Sequence, residues 1–581
     1  MLFVPPFGWD DQVSYRSRLD WTLALAESGI ASLRMDLPGT GDSSGFGHDP
    51  DIVRAWARAV VDGVAWLRSA GANRVAVIAI GFGGLITARA ASEGVAIDDL
   101  ILWGVPNRGS ELLRELNAFG RLERWKTGER AEDIPDGDLR AGGYGLTAQA
   151  QAELSSIDVA DLLCCFNPPQ RALVIARDGL QKGAHLHDAL HEAGVEVRSH
   201  PGHGWGAMLA RLPSVPPEQV FKLVNEWLAE RTVSNCEARD LPRQSLAAVM
   251  GEPGVRFREK AIIFDNGGKK LFAVVTEPID VPVGDFTVIL YNAGGHRRIG
   301  PNRMWTDAAR RWAGLGVPVI RVDLEGIGDA DGDASQYRDV NEFYRSELVL
   351  QANAVLDLAV SVGLPERFLI GGICSGAFWA FQVALSDPRV ASVVAVNPGM
   401  LVFDPQVKGR RTARRLKRLF GPEGLKRLIH AERKSERLGN LLSFALTLPL
   451  RAARSSHAPA PDPLESQLRA LRDRGQKMHI AFCEDEPFEQ ELLVSPSIQS
   501  ALSSCAVSQK LPCASHTLKP LRAQQATNAM LDAIVSQAIT ATQPRVVGRK
   551  RHRKEARRTG TMQSLRTKPR DRFTQPHGPS R

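Results

Sequence analysis

At 581 residues the chain exceeds one ordinary domain of roughly 100–200 residues, so two or three cores are expected. Its 43% hydrophobic and 24% charged residues, with 11 Trp and 21 Phe, are globular in proportion and exclude a largely disordered or fibrous chain. The formal charge of +8 is unevenly held: thirteen Lys and Arg against two acids lie in 545–581, and twelve against three in 408–437, more than the whole excess, so the bulk of the chain is acidic.

In chain order, the opening MLFVPPFGWDDQ lacks a basic stretch leading into an apolar one, so no signal peptide is expected. The apolar run 75–86 is broken by glycines and falls short of the roughly 18 residues of a membrane span. Seven cysteines, of which only Cys164 and Cys165 are close neighbours, form no disulfide framework. The expectation is a soluble, cytoplasmic protein. His185, His187 and His191 put two imidazoles on one helical face, but no further ligand pattern accompanies them, so no metal is assigned, and no cofactor either. Residues 232–254 mix Ser, Asn, Pro, Arg and Gly without periodicity and read as a linker. Two strand-like stretches follow, 257–264 and 270–277, joined by the hairpin signal Asp265-Asn266-Gly267-Gly268. Beyond them, apolar strands at 287–291, 317–322 and 368–372 alternate with helical stretches, which implies a mostly parallel sheet with helices on both faces. After Gln537 the chain turns basic and loses its apolar residues, so the tail 542–581 is expected to be disordered.

Two marker segments recur in the same order at nearly the same offset. Arg34-Met35-Asp36-Leu37-Pro38-Gly39-Thr40-Gly41-Asp42 returns as Arg321-Val322-Asp323-Leu324-Glu325-Gly326-Ile327-Gly328-Asp329, and 74–84 aligns with 367–377. We read two copies of one domain, 1–231 and 255–541. The first lacks the opening hairpin, its matching segment beginning directly at Met1, and a start further upstream fits the same pattern.

A strand ending in G-x-nucleophile-x-G and entering a helix is a nucleophile elbow, a strained turn that presents one side chain at the carboxyl edge of the sheet. Gly372-Ile373-Cys374-Ser375-Gly376 fits it, with Cys374 at the apex and the Ser375 amide toward an oxyanion. A turn shifted by one residue would make Ser375 the nucleophile instead. By the same register the first copy carries Gly81 at its apex, in Ala79-Ile80-Gly81-Phe82-Gly83, and has no nucleophile there.

With these elements both copies resemble α/β-hydrolase domains. The second is similar to a bacterial, serine aminopeptidase-like branch through Asn292-Ala293-Gly294, the segment 296–303 and the elbow 372–377. The first is similar to hydrolases associated with exosortase and exopolysaccharide clusters, through Pro5-Pro6-Phe7 and 36–45. The resemblance implies an acid loop at Cys483-Glu484-Asp485-Glu486-Pro487, with Glu486 or Asp485 as the acid. It implies a histidine loop ending in His516, and Ala293 or Gly294 as a second oxyanion donor beside Ser375. In the first copy Asp178 and His203 match the acid and histidine positions, leaving a degenerate site.

The resemblance also implies a helical cap at about 400–466. Within it Leu416, Leu419, Phe420, Leu425, Leu428 and Ile429 recur at helical spacing beside a basic face, readable as a solvated surface or as a cationic rim for an anionic substrate. The expected activity is hydrolysis of esters or thioesters through a Cys-His-acid triad. Acyl transfer from coenzyme A or carrier-protein thioesters, and a non-catalytic interaction protein in polysaccharide or secondary-metabolite assembly, are the alternatives. The basic tail reads as a solvated extension; binding nucleic acid would require strong salt dependence.

Overall fold

The structure, a computed structural model, describes residues 1–178, 184–231, 247–251, 254–403 and 462–542. The basic stretch 408–437, most of the expected cap and the tail beyond 542 lie outside the described residues. Among the described residues two large sheets form, beside a two-stranded ribbon of Leu139–Ala141 and Tyr144–Leu146; their central strands are apolar runs buried on both faces, as parallel strands covered by helices must be, while the edge strands Glu196–His200 and Ala506–Lys510 are largely exposed. The first has six parallel strands in the order Leu33–Arg34, Leu2–Val4, Ala76–Ile80, Asp99–Trp103, Arg171–Ile175, Glu196–His200. In the second, the parallel strands Ala506–Lys510, Lys477–Phe482, Val390–Val396, Phe368–Ile373, Thr287–Tyr291 and Val319–Asp323 continue into the antiparallel hairpin Lys269–Pro278 and Phe257–Asn266.

The hairpin closes on Gly267 and Gly268, both in left-handed backbone (φ 64° and 83°), as a two-residue turn between antiparallel strands requires. One reading needs correction. The segment assigned to the linker supplies a ninth, edge strand, Ala247–Met250, antiparallel to Phe257–Lys260. Four residues that are half-exposed carry too short a pattern to register as a strand, and the pairing comes from the neighbouring edge. Among the described residues no helix is long and apolar enough to cross a membrane.

The repeated turns are where the two copies meet, and they meet reciprocally. Arg34 of the first copy donates to Asp329 of the second at 2.7 Å, while Arg321 of the second pairs with Asp42 of the first. Arg298 lies between the turns, 2.7 Å from each of Asp42, Asp323 and Asp329, and Arg297 donates to Asp36 at 2.8 and 3.1 Å. Turn carbonyls are read in the same crossed fashion. Arg303 donates to Gly41 and Gly45, each at 3.0 Å, and Arg16 donates to Ala330 at 2.7 Å. Each turn is folded back on its own aspartate: the Asp42 amide donates to Asp36 at 3.0 Å and the Asp329 amide to Asp323 at 3.1 Å. A Cβ at Gly41 or Gly328 would lie 2.0 or 2.1 Å from that carboxylate, so only glycine fits.

Burial opposes ionisation of Asp42 and Asp329, but the guanidinium groups of Arg298 with Arg321, and of Arg298 with Arg34, outweigh it and hold both carboxyls far below the usual carboxylate range. A depressed folded-state pKa contributes stability above the ordinary carboxylate range and loses it only as pH falls through the lowered value, so this interface should persist in mild acid. Replacing Asp42 by Asn leaves Arg298 and Arg321 undercompensated in a buried site and should cost about 3–5 kcal/mol in denaturant unfolding at neutral pH. Asp329→Asn should cost a similar amount, and the double variant less than the sum, because both carboxylates share Arg298.

Candidate active site

The strand Phe368–Ile373 delivers Cys374 to the carboxyl edge of the second sheet, at the start of the helix Ser375–Ser386. Cys374 has φ 57° and ψ −116°, a conformation L-residues rarely adopt, and its amide is anchored to the Val396 carbonyl at 3.0 Å. The flanking glycines make the turn possible. A Cβ on Gly372 would meet the Gly376 carbonyl carbon at 2.2 Å, and one on Gly376 would meet the Asn292 carbonyl oxygen at 2.3 Å.

Two loops complete the constellation. Glu486 caps the helix Pro487–Val494 and is buried, at 4% exposure, while its neighbour Asp485 sits in left-handed backbone (φ 63°) and is exposed. That twist presents Glu486 to the imidazole, and His516 Nδ1 lies 3.0 Å from both carboxylate oxygens. Of the two acids the resemblance offered, Asp485 is therefore not the one in contact. The Cys374 sulfur lies near enough to His516 for each to act on the other's protonation.

The electrostatics follow from this chain of contacts. Burial opposes the thiolate of Cys374, yet the hydrogen bond and charge of His516, the Ser375 amide and the Tyr344 hydroxyl together bring the thiol below its ordinary value. Burial likewise opposes the imidazolium, and the bonds to Cys374 and Glu486 overcome it, raising His516 to about 10.

Ser375 is buried, at 1% exposure, and its Oγ accepts the Gly294 amide at 2.9 Å. This corrects one expectation: the Gly294 N–H is directed at a side chain and not toward an oxyanion. Ala293 is buried against the same edge, and the Ser375 amide faces the sulfur.

Two further residues were not found from the sequence. Tyr344, in the turn Val340–Tyr344, brings its hydroxyl to Cys374, its ring edge-on to Phe378 at 5.1 Å and stacked with Phe403 at 6.5 Å. Asn397, fully buried with φ 44°, donates to the His516 carbonyl at 3.0 Å and accepts from the Cys483 amide at 2.8 Å, tying the histidine and acid loops together. Neither belongs to a spaced motif; the one available signal was Asn397 at the end of an apolar strand, where a buried amide needs partners.

In the first copy the elbow backbone survives without its chemistry. Gly81 has φ 52° and ψ −113°, nearly the angles of Cys374, and a Cβ on Gly83 would strike the Val4 carbonyl at 2.5 Å, as one on Gly376 strikes that of Asn292. Asp178, matched to the acid position, accepts the amides of Trp205 and Gly206 at 3.1 and 2.9 Å, and His203 is exposed. The capped helix Trp205–Leu209 brings its indole over the apex, 3.3 Å from where a Gly81 Cβ would be. A pocket of about 320 Å³ remains there, walled by Phe7, Trp9, Phe82, Phe119 and Trp205. On the helix Ala184–Glu192, His187 is bonded to Ser199 at 2.8 Å and stacks beside His191.

A family model described as the alpha/beta hydrolase family matches residues 1–223 and 290–529. No curated protein matches the chain. Similar solved structures include the thioesterase domain from the curacin biosynthetic pathway, 16% identical, covering 48% of this chain and 99% of its own, with a TM-score of 0.29. The ferulic acid complex of Est1E from Butyrivibrio proteoclasticus is 15% identical, covers 48% of this chain and 100% of its own, and gives a TM-score of 0.32. Dienelactone hydrolase from Anabaena variabilis is 13% identical, with 48% and 98% coverage and a TM-score of 0.30.

The raised histidine has a direct consequence in pH. A raised histidine contributes stability in full below its unfolded pKa of about 6.5 and loses it as pH climbs through about 10. A lowered thiol reacts as thiolate below the ordinary cysteine range. Iodoacetamide should therefore alkylate Cys374 at a pH below the ordinary cysteine range, while Cys483 and Cys505, whose thiols burial pushes up, react only above that range. Glu486→Gln removes one of the two groups that raise His516 and should bring its titration, followed by NMR, down from about 10.

Proposed function

The chain belongs to the alpha/beta hydrolase family, and from that premise we infer that its second copy hydrolyses esters or thioesters through an acyl-enzyme on Cys374. The observation that carries this reading is the His516 ring placed between the Cys374 thiol at the elbow apex, whose ionisation it favours, and the buried Glu486 carboxylate 3.0 Å from its Nδ1. In the proposed reaction the thiolate attacks the substrate carbonyl, and the Ser375 and Ala293 amides receive the oxyanion. His516, already protonated, gives its proton to the departing alkoxide or thiolate.

Acylation removes the negative charge that raised the histidine, so the imidazole becomes a base in the second half of the cycle. It then takes a proton from water as the oxygen attacks the thioester, and the collapse of the second tetrahedral intermediate returns Cys374 as thiolate and His516 as imidazolium. Glu486 holds the ring in the tautomer that both steps need. Ester and thioester substrates suit the nucleophile, because a thiolate leaves the first intermediate more readily than an amine does. Amide cleavage is accordingly disfavoured. The first copy, with glycine at its apex, takes no covalent part; it is proposed as a pseudo-hydrolase.

Incubation with a 4-nitrophenyl acyl ester should give a burst of nitrophenol and a mass increment on the peptide carrying Cys374. Cys374→Ala should lose the increment and on the order of 10⁴-fold or more in kcat, and Glu486→Gln about 10²–10⁴-fold. Ser375→Ala should keep the increment, since its hydroxyl bonds the Gly294 amide and its donor to the oxyanion is backbone. Acylation that follows Ser375 and survives loss of Cys374 would overturn the assignment.

A further inference from the structure

The loop carrying His516 is bent at two non-glycine residues in left-handed backbone, Cys513 (φ 69°) and Leu518 (φ 56°). Such conformations persist only where surrounding contacts over-determine them. On the inner side, Asn397 donates to the His516 carbonyl and Asn302 donates to that of Leu518 at 2.8 Å. On the outer side the contacts come from the first copy. The Ala514 amide, two residues before the histidine, donates to the Thr127 carbonyl at 3.1 Å. Lys519 donates to Glu123 at 2.7 Å and holds its ammonium 3.8 Å above the Trp9 ring. The Leu521 amide donates to Glu129 at 2.6 Å.

These contacts surround the loop at short intervals and are well built. The Lys519 and Glu123 side chains are only 20% and 16% exposed, which sets the pair apart from a solvent-screened surface bridge. Glu123 is itself fixed by the Gly142 amide. His516 must reach Cys374 and Glu486 at once, and a displacement of about 1 Å loses one partner or the other.

We propose that the first copy, which has no nucleophile of its own, sets the register of the histidine loop in the second: Glu123, Thr127 and Glu129 are positioning residues for His516. The degenerate half is then part of the working site, acting through a backbone it does not own. This inference rests on the Cys374–His516 reading above, and the two can fail separately.

The test uses the full chain with Glu123→Gln and Glu129→Gln combined, Lys519→Met alone, and Glu115→Gln as control, a residue of the same helix that pairs instead with Arg177. Hydrogen exchange should quicken roughly tenfold in peptides spanning 513–521 for the double variant, and in part for Lys519→Met, with the strand Phe368–Ile373 and the control unchanged. Alongside, kcat for the ester should fall roughly tenfold with KM little altered, and the acid limb of Cys374 alkylation should move to higher pH. Exchange in 513–521 that matches the native chain in both variants overturns the proposal. If native Cys374 alkylates at no lower pH than an ordinary cysteine the Cys374–His516 reading falls, and the exchange measurement still decides the positioning role.

Discussion

The structure depends on one crossed arrangement of charge. Each copy of the repeated turn offers a carboxylate to an arginine of the other copy, with Arg298 bridging both, so two sheets are joined through a seam that is ionic and buried. Charges taken out of water are costly unless every lone pair and proton is met. Here the turns supply part of that by folding back on their own aspartates, which is why both need glycine where the amide closes on the carboxylate, while the Nε atoms of Arg297, Arg298 and Arg321 stay buried without a hydrogen bond. An apolar seam would tolerate sliding. A seam of paired guanidinium and carboxylate groups fixes distance and angle, and with them the approach of the helix Gly109–Thr127 to the histidine loop.

Much of this was legible in the residues. The repeat stood out because the turn is nearly rigid in sequence: aspartate, glycine and a second aspartate each have a steric or electrostatic reason at a fixed spacing. The elbow was legible for the same reason, since Gly372 and Gly376 leave no room for a side chain and so identify Cys374 between them. Glu486 was within one residue of ambiguity. What separates it from Asp485 is the left-handed backbone at 485, a property of the loop that composition does not display.

Other features could not be read along the chain because they arise between segments far apart in it. Tyr344 reaches Cys374 only once its turn is packed on Phe378, and Asn397 acts by satisfying carbonyls more than a hundred residues onward. The expected oxyanion role of Gly294 failed on a local competitor, the hydroxyl of Ser375, whose position depends on how two strands abut. Asp178, expected at the acid position, accepts two amides at the start of the helix Trp205–Leu209. The strand Ala247–Met250 is a smaller example, recruited by an edge.

The crossed turns also bear on how the halves can change. A face that pairs with a copy of itself is usually found between two identical chains, where one substitution alters both sides at once. Within a single chain the sides are encoded separately, so a change at Asp42 must be answered at Arg298 or Arg321, across more than two hundred residues. The apices have no such tie. Gly81 and Cys374 keep the same backbone angles but touch different surroundings, so one could shed its nucleophile while the shared turns stayed locked. The seam therefore ties the two copies together residue by residue, while their apices can carry different residues on the same backbone.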